Sequence, residues 1–117
     1  MNSDPLSNLR AETIDEVLRS LDRVVEWSKT NDSRLGYFAA HYRKVTRAVK
    51  QAIADGVFID GPRMERLDVI FANRYLIALE LYLHDRERTP HAWRLAFDTA
   101  ERWWPIVLQH LLLGMNA

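Results

Sequence analysis

Four side chains of this sequence have the chemistry of acid–base catalysts or metal ligands. Glu65 and Asp68 lie one helical turn apart on a predicted third helix, and His41 and His110 lie on the predicted second and fourth helices. Inward-facing glutamate and histidine side chains on neighbouring helices are the usual metal ligands inside helical bundles. The diagnostic Glu-x-x-His spacing does not occur. We therefore expect no metal and no cofactor, and these four residues are the candidates for a catalytic site.

A second group of residues could bind an anion. The run GPRMERLDVIFANRY places Arg66 early in the third helix and Asn73 two turns later. Arginines near the start of a helix suit a carboxylate or a phosphate, whose charge the helix dipole also favours. The same stretch could instead form a half-buried network of ion pairs that fixes the register of the helix, and we favour that interpretation. Ligand binding by Arg66 and Asn73 is the alternative.

Aromatic residues recur on the third and fourth helices at helical spacing. Tyr75 can face Trp93, Phe97 and Trp104. Such a lining could form an apolar pocket in which Tyr75 and Trp104 contact a small molecule. Aromatic residues at this spacing more often pack against one another as a core, and we favour the core. A small-molecule ligand is the alternative.

The composition excludes several classes of partner. The 117 residues are 48% hydrophobic and 27% charged, as in an ordinary globular domain. Sixteen basic residues balance sixteen acidic ones, so we expect neither nucleic acid nor an anionic membrane as a partner. The absence of cysteine excludes disulfides and thiolate metal sites and is compatible with a reducing compartment, so we expect a cytoplasmic protein. One basic stripe is interpreted as a solvated face of the second helix: Arg43, Lys44, Arg47 and Lys50.

Four predicted helices would position these residues. Thr13 and Glu16 have the spacing of a capping box at the start of the first helix. Gly56 is placed to end the second, and Pro62 and Pro90 suit the first turns of the third and fourth. Apolar residues then recur every three or four positions, which is the helical period. On the third helix the predicted apolar face comprises Leu67, Ile70, Phe71, Tyr75, Leu79 and Tyr82.

No stretch alternates with the period of a β-strand. The predicted fold is therefore all-α, an up-down four-helix bundle whose helices are joined by short polar loops. Residues 1–12 are polar enough to be predicted as a loose N-terminal arm, and residues 13–117 as the bundle domain.

The last helix is expected to be kinked and to carry an interface. Pro105 cannot complete the helical hydrogen bond to Glu101, which predicts a bend there. The segment that follows is apolar on nearly every side but falls short of the roughly 20 residues that a membrane helix needs. An exposed apolar surface usually marks an interface. We therefore expect a homo-oligomer formed through helix four, with these interface residues: Ile106, Leu108, Leu112 and Leu113.

Three runs resemble a bacterial family catalogued only as a domain of unknown function: SRLGYFAAHYRKVTRAVK, DGPRMERLDVIFANRY and ERWWPIVLQHLLLGMNA. The chain looks like the N-terminal part of longer relatives, which continue into a further helical stretch containing His and Asp. The resemblance implies an all-helical fold without an established activity. It also implies that a site using those later residues would be incomplete in this chain.

The sequence thus predicts a helical bundle of unknown biochemical activity, which we interpret as a self-associating or partner-binding module. The alternative is a small-molecule- or metal-dependent enzyme with a site in the bundle interior near His110.

Overall fold

The described part of the chain is built from helices. The computed structural model describes residues 6–98, in which α1 spans Ile14–Thr30, α2 spans Gly36–Ala54 and α3 spans Gly61–His84. A single 3₁₀ turn follows at Arg86–Arg88, and residues 91–98 are again helical and are named α4. The all-α prediction is confirmed. The kink predicted at Pro105 lies outside the described residues.

Local chemistry explains where these helices begin and end. The Thr13 hydroxyl caps α1 by accepting a hydrogen bond from the Glu16 backbone N–H at 3.1 Å. The Glu16 carboxylate in turn accepts a hydrogen bond from the backbone N–H of Glu12 at 2.8 Å. Asp60 caps α3 in the same way, with Pro62 in the first turn. Gly56 follows α2 with a φ of +73°, a conformation that costs glycine nothing. The sequence signals for these ends are confirmed.

The first two helices form an antiparallel pair. Lys50 near the end of α2 binds Asp15 at the start of α1 at 2.6 Å, and Arg43 binds Asp22 at 2.8 Å. Near the turn between the helices the two backbones approach closely, because Gly36 lies directly against Ser28. Only a residue without a side chain fits there.

The third helix packs antiparallel to α2, and α4 lies across its second half. The ring of Phe38 on α2 packs against the ring of Tyr75, with 4.7 Å between the ring centroids. Phe97 on α4 packs against both Tyr75 and Tyr82, at 6.1 and 5.1 Å between ring centroids. Trp93 stacks on Phe97 at 5.5 Å. The predicted aromatic core is therefore present, and it joins α2, α3 and α4.

Residues 6–12 fall in the segment predicted as a loose arm, but in the structure they are packed. Leu6, Leu9 and Ala11 are almost completely buried and belong to the same core as the helices. Their backbone and neighbours hydrogen-bond to both α1 and α3, so the segment fills the groove between those helices. The prediction of a loose arm rested on the mostly polar composition of the segment and overlooked its three apolar side chains, which are the ones that are buried.

The helices that the structure describes include none that is both long and apolar enough to cross a membrane.

Substituting Gly36 tests the close approach of α1 and α2. An alanine Cβ at this position would lie 2.6 Å from Ser28 Oγ. We expect Gly36→Ala to lower the free energy of unfolding by about 2 kcal/mol, the usual cost of overpacking. In a Ser28→Gly background the same substitution should cost close to nothing, because the obstructing atoms are gone. Urea denaturation of the four proteins measures this coupling; equal costs in the two backgrounds would contradict it.

Candidate functional site

Most of the predicted site residues lie on α3, but the helical period sends them to different faces. At about 100° per residue, Glu65 and Asn73 face the N-terminal segment, Asp68 and Tyr75 face α2, and Arg66 faces outward. Glu65, Asn73 and Asp68 form hydrogen bonds with neighbours in the protein, and the Tyr75 ring packs in the aromatic core. The five candidates on α3 therefore do not share one face, although Glu65 and Asp68, one turn apart, are close enough for their charges to interact.

Asn73 and Glu65 bind the backbone of the N-terminal segment. The Asn73 side-chain oxygen accepts the Ala11 N–H at 2.8 Å, while its amide nitrogen donates to the Ala11 carbonyl at 2.7 Å. Glu65 Oε2 accepts the N–H of Ile14, the first residue of α1, at 3.0 Å. These are buried or half-buried backbone groups that would otherwise have no partner. Both candidates thus have a structural role.

Two further α3 side chains continue the same pattern. Glu80 Oε1 accepts the Leu9 N–H at 2.9 Å, and His84 Nε2 lies 2.7 Å from the Leu6 carbonyl oxygen. From α1, the Ser20 hydroxyl donates to the Leu9 carbonyl at 2.7 Å. We name this set the α3 ladder, meaning the hydrogen bonds of Glu65, Asn73, Glu80 and His84 to the backbone of residues 6–14.

Asp68 and Tyr42 form a half-buried polar pair between α2 and α3. The Tyr42 hydroxyl donates to Asp68 Oδ1 at 3.2 Å, whereas Asp68 Oδ2 is buried without a hydrogen-bond partner among the described residues. Burial is the main cause that raises the pKa of the Asp68 carboxyl above 3.8; the charge of Glu65 raises it further and the Tyr42 hydrogen bond opposes the rise. Burial and the same carboxylate also raise the pKa of the Tyr42 hydroxyl.

Tyr75 lies in the centre of the aromatic core. It is only 2% exposed, and its hydroxyl has no hydrogen-bond partner in the described part of the chain. Burial accordingly raises the pKa of that hydroxyl. The favoured prediction, a packed aromatic core rather than a ligand pocket, agrees with this environment.

The remaining candidates divide into those that can be placed and those that cannot. His41 is half-buried on α2 and forms no hydrogen bond or ion pair with any described residue. Residues 6–98 contain no group of three His, Cys, Asp or Glu side chains that could hold a metal ion. The other predicted site and interface residues lie outside the described residues: His110, Trp104, Ile106, Leu108, Leu112 and Leu113.

The ion-pair network predicted for α3 is not found within residues 6–98. The acids of α3 are used elsewhere, and Arg66 forms no salt bridge with a described residue. We name the solvent-facing side of this helix the outer face of α3, and it combines three arginines with three apolar side chains: Arg63, Arg66, Leu67, Ile70, Arg74 and Ile77. At about 100° per residue these six fall within an arc of about 100°.

Part of the predicted apolar face of α3 is therefore wrong. Leu67, Ile70 and Phe71 were expected to be buried, but they are 49%, 55% and 41% exposed. Ile77, which was not part of the predicted face, is 45% exposed. The physical reason is that apolar residues surround most of α3, and the described neighbours cover the side with Tyr75, Leu76 and Leu79 but not the side with Leu67 and Ile70. The sequence did contain a sign of this exposure, since α3 has more apolar residues than fit on one buried face.

A groove borders the outer face of α3. It has a volume of about 500 Å³ and is open to solvent. Its lining combines Ile70, Asn73, Arg74 and Ile77 of α3 with Trp93 of α4 and Arg10 of the N-terminal segment. An apolar groove bordered by guanidinium groups can hold an apolar side chain together with a carboxylate. Sequence reasoning missed this groove because its residues come from three separate parts of the chain.

Comparison with known proteins identifies a family but no activity. The sequence model of a family of unknown function (DUF5995) matches residues 14–117. Searches of curated proteins and of solved structures found no match.

Removing the Asn73 side chain tests its role in the α3 ladder. Asn73→Ala leaves both backbone groups of Ala11 without their partner, so we expect the free energy of unfolding to fall by about 2 kcal/mol. The adjacent exposed substitution Arg74→Ala should change it by less than about 0.5 kcal/mol. Urea denaturation measures both. Equal stability of the Asn73→Ala and wild-type proteins would exclude the structural role.

The raised pKa of Asp68 predicts a particular dependence of stability on pH. The pH interval of interest lies between 3.8, the ordinary pKa of the carboxyl, and the higher pKa of Asp68 in the folded protein. In this interval the folded state binds more protons at Asp68 than the unfolded state does. The free energy of unfolding therefore decreases as pH rises through that interval. Asp68→Asn keeps an oxygen for Tyr42 and removes the titration. The stability of the wild type relative to this variant should fall from pH 4 towards neutrality; a rise would contradict the raised pKa.

Proposed function

The chain belongs to the DUF5995 family of unknown function, and we propose that it is a non-catalytic helical module that binds another protein helix. The observation that carries this proposal is the outer face of α3. Leu67, Ile70 and Ile77 are each about half exposed on the same side of one helix. Single exposed apolar residues are common on proteins, whereas an aligned set of them usually marks an interaction surface.

The spacing of these side chains favours a helix as the bound element. Leu67, Ile70 and Ile77 occupy positions i, i+3 and i+10 of α3 and span about 15 Å along its axis at 1.5 Å per residue. Two helices that pack side by side meet through residues three, four and seven positions apart on each helix, and the intervals of three and seven seen here match that pattern. Trp93 also lines the groove and offers an aromatic side chain against which such a helix can pack.

The bound helix can come from a second copy of the chain or from another protein. The homo-oligomer predicted through Ile106, Leu108, Leu112 and Leu113 rests on residues beyond the described part, and it remains a proposal. So does the cytoplasmic location, which is supported by a sequence without cysteine. The alternative of an enzyme with a site near His110 also rests on residues that the structure does not describe.

A designed peptide tests the proposed function directly. The peptide is an amphipathic helix with leucine on one face and glutamine on the other, so that it carries no charge. We expect it to bind the full chain, and Ile70→Glu to weaken binding by about tenfold or more, because one isoleucine loses its burial. Fluorescence anisotropy measures the affinity.

The matched control places the same new charge elsewhere. Ala48→Glu adds a carboxylate at an exposed position of α2, and it should leave the affinity unchanged. Sedimentation of the full chain detects the case in which a second copy is the bound partner, since Ile70→Glu should then shift the mass towards the monomer. A chain that stays monomeric and binds no peptide would contradict the proposal.

A substitution in the last predicted helix tests the self-association surface separately. We expect Leu108→Glu to reduce the mass of any oligomer while the far-ultraviolet circular dichroism of the remaining helices persists, because a charge cannot be buried without a partner. An oligomer of unchanged mass would exclude Leu108 from the interface.

A further inference from the structure

The charges of α1 and α2 neutralise one another across their shared surface. Asp15 binds Lys50 at 2.6 Å and Asp22 binds Arg43 at 2.8 Å. The basic stripe of α2 is therefore partly balanced within the protein. Although the whole chain has no net charge, its charges are not evenly distributed over the surface.

The outer face of α3 is positively charged. Arg63, Arg66 and Arg74 point to the same side and form no ion pair with any residue in the range 6–98. The carboxylates of the same helix face elsewhere, because Glu65 and Glu80 bind the N-terminal backbone. Asp68 accepts a hydrogen bond from Tyr42 on α2. No acidic side chain of α3 is thus left to balance these arginines.

A fourth arginine reaches the groove from the N-terminal segment. The backbone on either side of Arg10 is fixed, since the Leu9 N–H binds Glu80 and Ala11 binds Asn73. The α3 ladder therefore holds Arg10 in the lining of the groove, to which Arg74 and Trp93 also belong. Two arginines thus line a groove whose other lining residues are mostly apolar: Ile70, Ile77, Ala78, Pro90 and Trp93, with Asn73 as the polar exception.

From this arrangement we infer that the partner is an amphipathic helix of another protein, with Asp or Glu residues bordering its apolar face. The inference rests on the proposed function and adds the chemistry of the partner. Apolar side chains of that helix pack between Ile77 and Trp93, and its carboxylates lie against Arg10 and Arg74. Arginine suits this role because its planar group can bind a carboxylate through two parallel hydrogen bonds.

Among the surfaces that the structure describes, those of a second copy of the chain fit the groove less well. Two outer faces of α3 brought together by a twofold axis would place arginines against arginines, which repel. The surface of α1 carries exposed acids, such as Asp15 and Glu26, but has no large exposed apolar side chain to enter the groove. A flat anionic membrane fits the charge but not the shape, since a flat surface does not fill a groove of about 500 Å³.

Three peptides of equal length and identical apolar face test the inference on the full chain. Their flanking residues are Glu, Gln or Lys. We expect the Glu peptide to bind about tenfold more tightly than the Gln peptide, and the Lys peptide more weakly than either, as two or three partly exposed ion pairs would give. Added salt should reduce the difference between the Glu and Lys peptides. Fluorescence anisotropy measures each affinity.

Two variants of the groove and one control locate the effect. Arg74→Glu and Arg10→Glu should each reduce the preference for the Glu peptide, and the double variant should reverse it. Lys44→Glu makes the same change of charge at an exposed position of α2 and should leave the preference as it was. Circular dichroism confirms that each variant is folded.

The outcomes separate this inference from the proposed function. If the Glu, Gln and Lys peptides all bind the protein with the same affinity, the proposed helix-binding function is supported and the acidic partner is excluded. If no peptide binds, both fail. Binding to phosphatidylglycerol vesicles that depends on Arg74, without peptide binding, would overturn the inference in favour of a membrane. A chain dimer that the Glu peptide cannot dissociate would overturn it in favour of a second copy.

Discussion

The α3 ladder is the interaction on which the rest of this structure depends. Residues 6–13 form no regular secondary structure, yet Leu9 and Ala11 are buried, so their backbone N–H and carbonyl groups need partners other than water. From a helix more than 60 positions later in the chain, Glu80 accepts the Leu9 N–H and Asn73 binds both backbone groups of Ala11. The Ser20 hydroxyl of α1 donates to the Leu9 carbonyl. An irregular segment can therefore close the groove between α1 and α3 without leaving buried polar groups unpaired.

The same hydrogen bonds constrain the rotation of α3 about its axis. Once Glu65 and Asn73 face the N-terminal segment and Asp68 faces Tyr42, the period of the helix decides which residues remain outside. Leu67 and Ile70 are then exposed together with Arg66 and Arg74, while the three acidic residues of α3 bind other parts of the protein. The docking surface that we propose is thus a consequence of how the polar residues of α3 are used internally.

Local signals in the sequence predicted the helices well, because caps and stops act over a few residues. Thr13, Gly56 and Pro62 each mark a helix end for a reason that needs no distant partner. The apolar period likewise predicted the aromatic core around Tyr75. These features are physically local, or they follow from the requirement that an aromatic stripe be covered.

The candidate site could not be predicted in the same way, because its residues are decided by contacts between distant parts of the chain. Glu65 and Asn73 resembled functional residues because a polar side chain on a packed helix must have a hydrogen-bond partner or a ligand. Their partners are the backbone groups of residues 11 and 14, and no local sequence pattern predicts those contacts. The groove beside Arg10 and Trp93 is hidden for the same cause, and the polar composition of residues 1–12 concealed the burial of Leu9.

Amide hydrogen exchange of the N-terminal segment, measured residue by residue with NMR on the full chain, tests the α3 ladder most directly. The account predicts slow exchange at Leu9 and Ala11, whose N–H groups bind Glu80 and Asn73, and faster exchange at Arg10 between them, whose N–H has no acceptor among the described residues. Exchange at all three amides at the rate of an unstructured peptide would show that the segment is not held by α3, and the account would then be wrong.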